Sequence, residues 1–304
     1  SAVIYTYNDY SVVYFVNGED TTSVLEGFRL CNAVWGGVES PRPDREREAH
    51  GGGFYCEYSS PKVIGNVIQG CDAYPGGFCC GHSSAVIMNN VIQYNDCGGG
   101  TVSYGSPVIT GNYIAYNERI YKGGGLWLSN LTDAVITGNT IVGNEAGGTG
   151  GGIYFSGGGT GTIAGNSIGW NEADYGGGVF IYSGSTVDFL NNVVFSNTGG
   201  GVEIGRSNVT FTNNCVADNI ASGTYGGGLL FSQDTLTIDN SIFWGNEAPL
   251  GSQIALLPGS LGYAYLVVEY SDIEFGQDSI YVDPGCTLIW GPGNIDEDPL
   301  FEPG

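Results

Sequence analysis

The sequence predicts an all-β solenoid, in which one chain winds into successive coils of short parallel strands. Three observations lead to this fold: an Asn-containing motif that repeats every 22 to 27 residues, β-branched residues at fixed places within it, and a glycine cluster between the copies. Repeats of this length are typical of solenoids, because one unit cannot bury its apolar side alone and must stack on the next. We expect the coils to stack about 4.8 Å apart.

The repeating motif reads Asn-x-(Ile/Val)-x-x-Asn and occurs eight times. Its first Asn is Asn66, Asn90, Asn112, Asn139, Asn166, Asn192, Asn214 and Asn240. The residue two positions later is β-branched in every copy: Ile68, Ile92, Ile114, Ile141, Ile168, Val194, Val216 and Ile242. A position kept so uniform is expected to face a shared apolar interior.

The second Asn of the motif predicts a buried amide ladder. It is Asn95, Asn117, Asn144, Asn171, Asn197 and Asn219, with Cys71 in its place in the first copy and Asn246 displaced by one residue in the last. An inward amide that recurs at the same height in each coil can bond to its copies above and below. Stacking therefore satisfies polar groups whose burial one at a time would be costly.

Glycine clusters separate the copies of the motif. They are Gly51 to Gly53, Gly76 and Gly77, Gly98 to Gly100, Gly123 to Gly125, Gly150 to Gly152, Gly176 to Gly178, Gly199 to Gly201 and Gly226 to Gly228. Each cluster precedes a short alternating strand. We interpret the glycines as corners at which the backbone needs positive φ.

Further motifs carry a resemblance to a known family. Ser-Val-Val-Tyr-Phe and Ser-Val-Leu-Glu-Gly-Phe lie within residues 10–66, an Asn-Glu-Ala…Gly-Gly-Gly-Ile unit spans 144–153, and Gly-Asn-Ile-Asp-Glu-Asp-Pro-Leu-Phe spans 293–301. With these motifs the chain resembles right-handed parallel β-helix proteins of the secreted and cell-surface bacterial type, and its repeats are similar to those of polymorphic outer-membrane adhesins. The resemblance implies a fold. It implies no single activity, because the family includes lyases, hydrolases, epimerases, adhesins and structural proteins.

We therefore expect one right-handed β-helix domain over residues 1–304. Its N-terminal coils would span 1–60, with a charged insertion at 38–50 that carries Arg42, Arg45, Arg47 and His50, its regular repeats 61–250, and its C-terminal coils 251–304. β-Helices of this kind usually begin with an amphipathic α-helix that caps the first coil, whereas this sequence opens with a strand-like segment. An uncapped end predicts either a trimmed chain or a covering molecule, including head-to-tail self-association.

The charge of the chain limits its partners. The formal net charge is -23, with only eight Lys and Arg residues, which argues against nucleic acid and against anionic membrane surfaces. The sequence has no run of 18 apolar residues, so we expect no membrane insertion. Together with the resemblance to secreted and cell-surface β-helix proteins, the charge and the lack of a long apolar run predict a secreted or cell-surface protein.

An outward column of aromatic residues is the first candidate binding surface. In the strand after each glycine cluster the second residue is expected to point outward: Tyr55, Cys79, Val102, Trp127, Tyr154, Phe180, Glu203 and Leu230. Tyr55, Trp127, Tyr154 and Phe180 would then form a solvent-facing aromatic row. Three interpretations stay open: the rings stabilise the sheet, contact a glycan or contact a protein.

A second column is acidic and follows the second Asn. It contains Asp72, Asp96, Glu118, Glu145 and Glu172 and resumes at Glu247. In register, neighbouring carboxylates would lie about 5 Å apart and repel each other by roughly 1 kcal/mol per pair in water. One interpretation is a set of Ca²⁺ sites, since Ca²⁺ accepts irregular oxygen ligands. The other is that hydrated side chains at turns tolerate this spacing.

Two sets of residues could support catalysis. A polysaccharide lyase needs an Arg or Lys base, and Arg119 and Lys122 stand near Trp127. A glycosidase needs two facing carboxyl groups, and Glu203 with Asp188 or Asp234 is the candidate pair. Solvated surface charge is the competing interpretation for both sets.

The eight cysteines lie mostly near the N-terminus, six of them before residue 98, and form no Cys-x-x-Cys motif. Cys56 and Cys80 stand at the same repeat position one coil apart, and Cys31 could approach Cys71. Each pair could be a disulfide or a pair of small packing residues. For Cys56 and Cys80 the sequence favours packing.

These observations together favour an extracellular or cell-surface scaffold, adhesin-like in type, that binds a polysaccharide or a cell-surface protein along its aromatic sheet. Ca²⁺ is the only cofactor the sequence suggests. The alternative hypothesis is a polysaccharide lyase or glycoside hydrolase on the same fold. The negative charge of the chain weighs against a lyase, because it would repel a polyanionic substrate unless cations intervened.

Overall fold

The computed structural model describes residues 2–5, 11–31, 52–260 and 262–301 and confirms the parallel β-solenoid. Within these residues three sheets of eleven strands each run the length of the molecule, and every strand pairs in parallel with its equivalent one coil away. The insertion at 38–50, with Arg42, Arg45, Arg47 and His50, lies outside the described residues.

Sheet 1 begins each coil, and the eight strands from Phe54–Glu57 to Leu229–Ser232 each follow a glycine cluster or begin within one. Its strands are Val13–Phe15, Phe54–Glu57, Phe78–Gly81, Gly100–Gly105, Leu126–Leu131, Ile153–Ser156, Val179–Tyr182, Val202–Gly205, Leu229–Ser232, Ile254–Leu257 and Ile280–Val282.

Sheet 2 follows after a tight corner. Its strands are Val24–Glu26, Lys62–Ile64, Val86–Met88, Val108–Thr110, Ala134–Thr137, Thr160–Ala164, Thr186–Leu190, Asn208–Thr212, Asp234–Asp239, Ala264–Glu269 and Thr287–Trp290.

Sheet 3 carries the Ile/Val position of the motif. Its strands are Ala2–Tyr5, Phe28–Cys31, Val67–Gln69, Val91–Gln93, Tyr113–Ala115, Thr140–Val142, Ser167–Gly169, Val193–Phe195, Cys215–Ala217, Ile242–Trp244 and Asp272–Ile273. Glu118–Arg119 pairs with Glu145–Ala146 in a turn, and Gly276–Ser279 forms a short 3₁₀ helix. Among the described helices, none has the length and apolarity to cross a membrane.

The interior of the coil is a stack of aligned apolar side chains. Ile68, Ile92 and Ile114 are register partners on sheet 3 and have no exposed surface. On sheet 2, Phe189 and Phe211 stack with ring centroids 5.2 Å apart. Since each residue packs on its equivalent in the next coil, the core is continuous along the axis.

Both Asn positions form buried ladders, whereas the sequence predicts a ladder for the second Asn only. Asn171 is typical. Its Nδ2 donates to the Ile141 carbonyl (2.9 Å) and to Asn197 Oδ1 (3.0 Å). Its own Oδ1 accepts from the backbone N–H of Asn144 (2.9 Å). The first Asn position repeats the pattern from Asn66 to Asn214. Each side-chain amide therefore links its coil to both neighbouring coils, and its buried donor and acceptor groups have hydrogen-bond partners.

The glycine clusters have two roles, and the sequence predicts only one of them. The first glycine of a cluster has positive φ, as at Gly150 (68°). The interior glycines Gly53, Gly77, Gly99, Gly125, Gly152, Gly178, Gly201 and Gly228 do not; a Cβ added there would lie closer than 3.0 Å to a backbone carbonyl oxygen of the next coil. These residues are glycine because neighbouring backbones approach closely.

Two register predictions are wrong by one residue. Thr101, and not Val102, pairs with Cys79 and Trp127 in the outward column, because Gly100 already occupies the first strand position. In the last repeat Ser241, and not Asn240, takes the ladder position, and Phe243 rather than Ile242 faces the interior. Neither place holds an inserted residue. Gly100 stands where neighbouring coils have an apolar strand residue, and Ser241 stands where the coils from Asn66 to Asn214 have Asn, so the motif taken alone is read one residue out of step.

Gly152→Ala tests the close approach of coils. The added methyl would meet the Gly178 carbonyl and crowd the Asn171 amide, so we expect the free energy of unfolding to fall by about 2 kcal/mol. Urea unfolding followed by circular dichroism measures this loss. Gly223→Ala is the control, because a Cβ there meets nothing within 4 Å, and its effect should stay within about 0.5 kcal/mol. Equal losses for both variants would contradict the packing role.

Candidate functional site

The outward column of sheet 1 brings the predicted aromatic residues into register. Trp127 pairs with Tyr154, Tyr154 with Phe180, and Phe180 with Glu203. Tyr55 lies in the same column, beside Cys79 and separated from Trp127 by Cys79 and Thr101. The column therefore runs from an aromatic row to a single carboxyl group.

The prediction that the whole row faces solvent is wrong. Tyr55 and Tyr154 are only 5% and 6% exposed, and Trp127 and Phe180 are half-buried. The Tyr154 and Phe180 rings stack with centroids 5.6 Å apart, and Trp127 meets Tyr154 edge to face at 6.5 Å. Much of the aromatic surface is thus used within the row, which is what sheet stabilisation requires.

Arg119 covers Trp127. Its guanidinium lies 4.5 Å from the Trp127 ring centroid and 5.3 Å from that of Tyr74, and Nη1 donates to Thr101 Oγ1 at 2.8 Å. The residue is 4% exposed, and burial lowers the pKa of its guanidinium. Among the described residues it makes no ion pair. Aromatic faces and neutral oxygens therefore surround this cation.

Two donors in this cluster have no acceptor. Arg119 Nη2 and Trp127 Nε1 are buried, and no hydrogen-bond partner for either exists among the described residues. A buried donor without an acceptor costs about 1–3 kcal/mol, so its presence in a folded protein calls for an explanation. An oxygen atom of a bound molecule would satisfy either group.

Lys122 covers the next ring of the row. Its ammonium donates to the Tyr154 hydroxyl at 3.2 Å and lies 4.9 Å from the centroid of the Tyr154 ring. The side chain itself is exposed. Arg119 and Lys122 thus both lie over the aromatic row. The structure places the two predicted basic residues beside Trp127 and Tyr154, and their catalytic role stays a prediction.

The turns that border this row carry exposed apolar side chains that the sequence analysis missed. Tyr74, Ile120, Tyr121 and Tyr175 are 52%, 74%, 72% and 55% exposed. They lie between the acidic column and the glycine clusters, in segments of varying length that have no fixed place in the repeat. A search for large apolar residues at turns would have found them. They give the aromatic row an exposed apolar border.

Glu203 lies in a small cleft of sheet 1. Asp174 and Tyr175 line one side and Thr224 and Tyr225 the other, because the coil between Asn192 and Asn214 is only 22 residues long and its turn is short. The register partners of Glu203 are Phe180 and Leu230. Burial among these groups raises the pKa of Glu203 from 4.5 to about 7.

The carboxylates that the sequence paired with Glu203 lie elsewhere. Asp188 and Asp234 belong to strands of sheet 2, and neither lines the Glu203 cleft. The second carboxyl group in that cleft is Asp174. Sequence reasoning missed it because Asp174 lies in a turn whose approach to sheet 1 depends on the short neighbouring coil.

The acidic column is in register for three coils. Glu118 pairs with Glu145 and Glu145 with Glu172, and the positions that follow are Thr198, Ile220 and Glu247. Asp72, Asp96 and these glutamates are all exposed. In the part of the chain that the structure describes, no group of three or more His, Cys, Asp or Glu side chains is arranged to hold a metal ion. Ca²⁺ binding and head-to-tail self-association stay predictions.

Two further aromatic stacks lie at corners of the coil. Tyr58, His82 and Tyr104 stack with successive ring centroids 4.6 Å apart, and Tyr94 stacks on Tyr116 at 5.3 Å. All five residues have positive φ, between 48° and 58°. His82 Nδ1 also lies 3.1 Å from Glu57 Oε1. A residue in the left-handed conformation directs its side chain outward from the corner, so these rings are exposed. The apolar periodicity of the sequence does not predict them.

Comparison with known proteins gives one match. The family model described as "Right handed beta helix region" matches residues 46–192 and 151–290, which together are more than half of the chain. No curated protein and no solved structure matches. The match concerns the fold and extends over the aromatic row, the acidic column and the Glu203 cleft.

Glu203→Gln tests the cleft through its pH dependence. The folded state favours the neutral carboxyl of Glu203. Its contribution to the free energy of unfolding is therefore fully present below pH 4.5 and is lost as the pH rises through about 7. In urea unfolding, the free energy of unfolding of the variant minus that of the native protein should increase by about 3 kcal/mol between pH 4.5 and pH 8. A constant difference across this range would contradict the raised pKa of Glu203 in the folded protein.

Proposed function

Because the chain belongs to the right-handed β-helix family, we propose that it is a secreted or cell-surface scaffold that binds a glycan at the Arg119–Trp127 end of the aromatic row. The observation that carries this proposal is the pair of buried donors, Arg119 Nη2 and Trp127 Nε1, for which the described part of the chain offers no acceptor. Hydroxyl and ring oxygens of a sugar are acceptors of the required kind.

The surroundings of these donors suit a sugar. Sugars bind to proteins through a few polar contacts beside aromatic surface, and the half-exposed Tyr74, whose ring centroid lies 5.3 Å from the Arg119 guanidinium, supplies that surface here. Since Arg119 Nη2 is closed off from solvent, ligand binding requires a neighbouring side chain to move, and we expect the half-exposed Tyr74 ring to be that side chain. The net charge of -23 favours a neutral glycan over a polyanion.

Trp127→Phe tests the glycan site, because it removes the indole N–H together with one of the two fused rings and keeps a single aromatic ring at this position. We expect a panel of neutral oligosaccharides, measured by isothermal titration calorimetry, to contain ligands whose affinity falls about 10-fold in the variant. Trp170→Phe is the matched control: Trp170 is 62% exposed on another corner, and its replacement should leave affinity unchanged.

Two results would overturn this assignment. The first is equal affinity in Trp127→Phe and the native protein. The second is a complete lack of glycan binding together with Trp127-dependent capture of a purified cell-surface protein, which would assign the surface to a protein partner.

The Glu203 cleft supports a second candidate function, glycoside hydrolysis. A carboxyl group whose pKa lies near 7 is suited to protonate a leaving oxygen, and Asp174 is the second carboxyl in the same cleft. The aromatic row leads along sheet 1 directly to Glu203, so a chain bound on the row would extend into the cleft.

Glu203→Gln also tests this alternative. If the protein is a hydrolase, the native protein releases new reducing ends from one polysaccharide of a neutral panel, and the variant loses this activity by at least about 100-fold. Glu247→Gln, at an exposed carboxylate on a turn, should keep it. Activity that survives in Glu203→Gln, or its absence in the native protein across the panel, would leave the scaffold as the function.

A further inference from the structure

The inner face of sheet 1 holds two cysteines in direct contact. Cys56 and Cys80 are register partners on the adjacent strands Phe54–Glu57 and Phe78–Gly81, and both side chains have no exposed surface. Their Sγ atoms lie 2.6 Å apart, which leaves no room for another atom between them. Parallel strands lie about 4.8 Å apart, within the range of Cα separations of about 4.4–6.8 Å that a disulfide accepts.

The neighbouring Cys79 cannot make the same contact. Its register partner is Tyr55, and its side chain lies on the opposite face of the sheet, because successive residues of a strand point to opposite sides. Of these adjacent cysteines, only Cys80 faces Cys56.

We propose that Cys56 and Cys80 form a disulfide that joins two consecutive coils when the protein folds in an oxidising compartment. The reaction is thiol–disulfide exchange with a small-molecule disulfide such as oxidised glutathione. One cysteine thiolate attacks it to form a mixed disulfide and releases one glutathione thiolate. The second cysteine thiolate then attacks the mixed disulfide, forms the Cys56–Cys80 bond and releases the second glutathione.

The position of the pair sets when this bond forms. Both sulfurs are out of reach of solvent in the folded coil, so the oxidant meets them while the two coils assemble. The bond then closes a loop between residues 56 and 80. Closing a loop of this size reduces the freedom of the unfolded chain and stabilises the folded coils. The bond is independent of glycan binding, since both sulfurs lie on the inner face of sheet 1.

Peptide mapping tests the bond. The chain is refolded with a glutathione redox couple, alkylated in denaturant without reductant, and digested with trypsin. Cleavage after Arg47, Lys62 and Arg119 puts Cys56 alone on peptide 48–62 and places Cys71, Cys79, Cys80 and Cys97 on peptide 63–119. We expect these two peptides to be cross-linked and to separate on reduction.

Two variants identify the partner of Cys56. The cross-link should persist in Cys79→Ala and disappear in Cys80→Ala, with Cys56 then alkylated. The native protein should also unfold at a temperature about 5 °C higher after refolding with the glutathione couple than after refolding with reductant. Alkylation of all eight cysteines in the native protein, or a cross-link that survives in Cys80→Ala, would overturn the proposal.

Discussion

The fold depends on one constraint, the fit of a buried amide against a residue that has no side chain. The Asn171 Nδ2 atom would lie only 3.0 Å from a Cβ added at Gly152, and the same arrangement recurs from Gly77 with Asn95 to Gly228 with Asn246. Each amide satisfies groups in the coils above and below it. Successive coils can therefore stack at only one distance, and the three sheets follow from that distance.

The same regularity explains why the sequence predicts the architecture so well. Positions that face the ladder or the core recur once per coil, so eight copies of the motif report on the same environment. Register is harder to predict, because Gly100 takes a strand position that is apolar in the neighbouring coils, and Ser241 takes a ladder position that is Asn in the coils from Asn66 to Asn214. Only the pairing between coils shows which residue faces inward.

The candidate site is less predictable because it depends on contacts between turns and strands. The sequence places Trp127, Tyr154 and Glu203 in one column, and the structure keeps them there. That Arg119 and Lys122 lie over the rings depends on the path of a turn, whose length varies between coils. The Glu203 cleft likewise results from one short coil between longer ones. The position of the two basic residues and the Glu203 cleft both result from differences between the repeats, whereas the fold results from what the repeats share.

The corners allow the surface of this protein to change independently of its interior. At the corner between sheets 1 and 2 the left-handed position is Tyr58, His82, Tyr104, Asn130, Ser183, Arg206 or Gln233, all with positive φ. Such a conformation costs a residue other than glycine about 1 kcal/mol or more, and here it is accepted by aromatic, basic and amide side chains alike. The backbone at this corner is thus held by hydrogen bonds between coils, such as those from the Tyr58 N–H to the Gly81 carbonyl and from the His82 N–H to the Ser103 carbonyl, whatever side chain it carries. Substitution along a corner can alter which molecules the solenoid recognises while the coil beneath it stays unchanged.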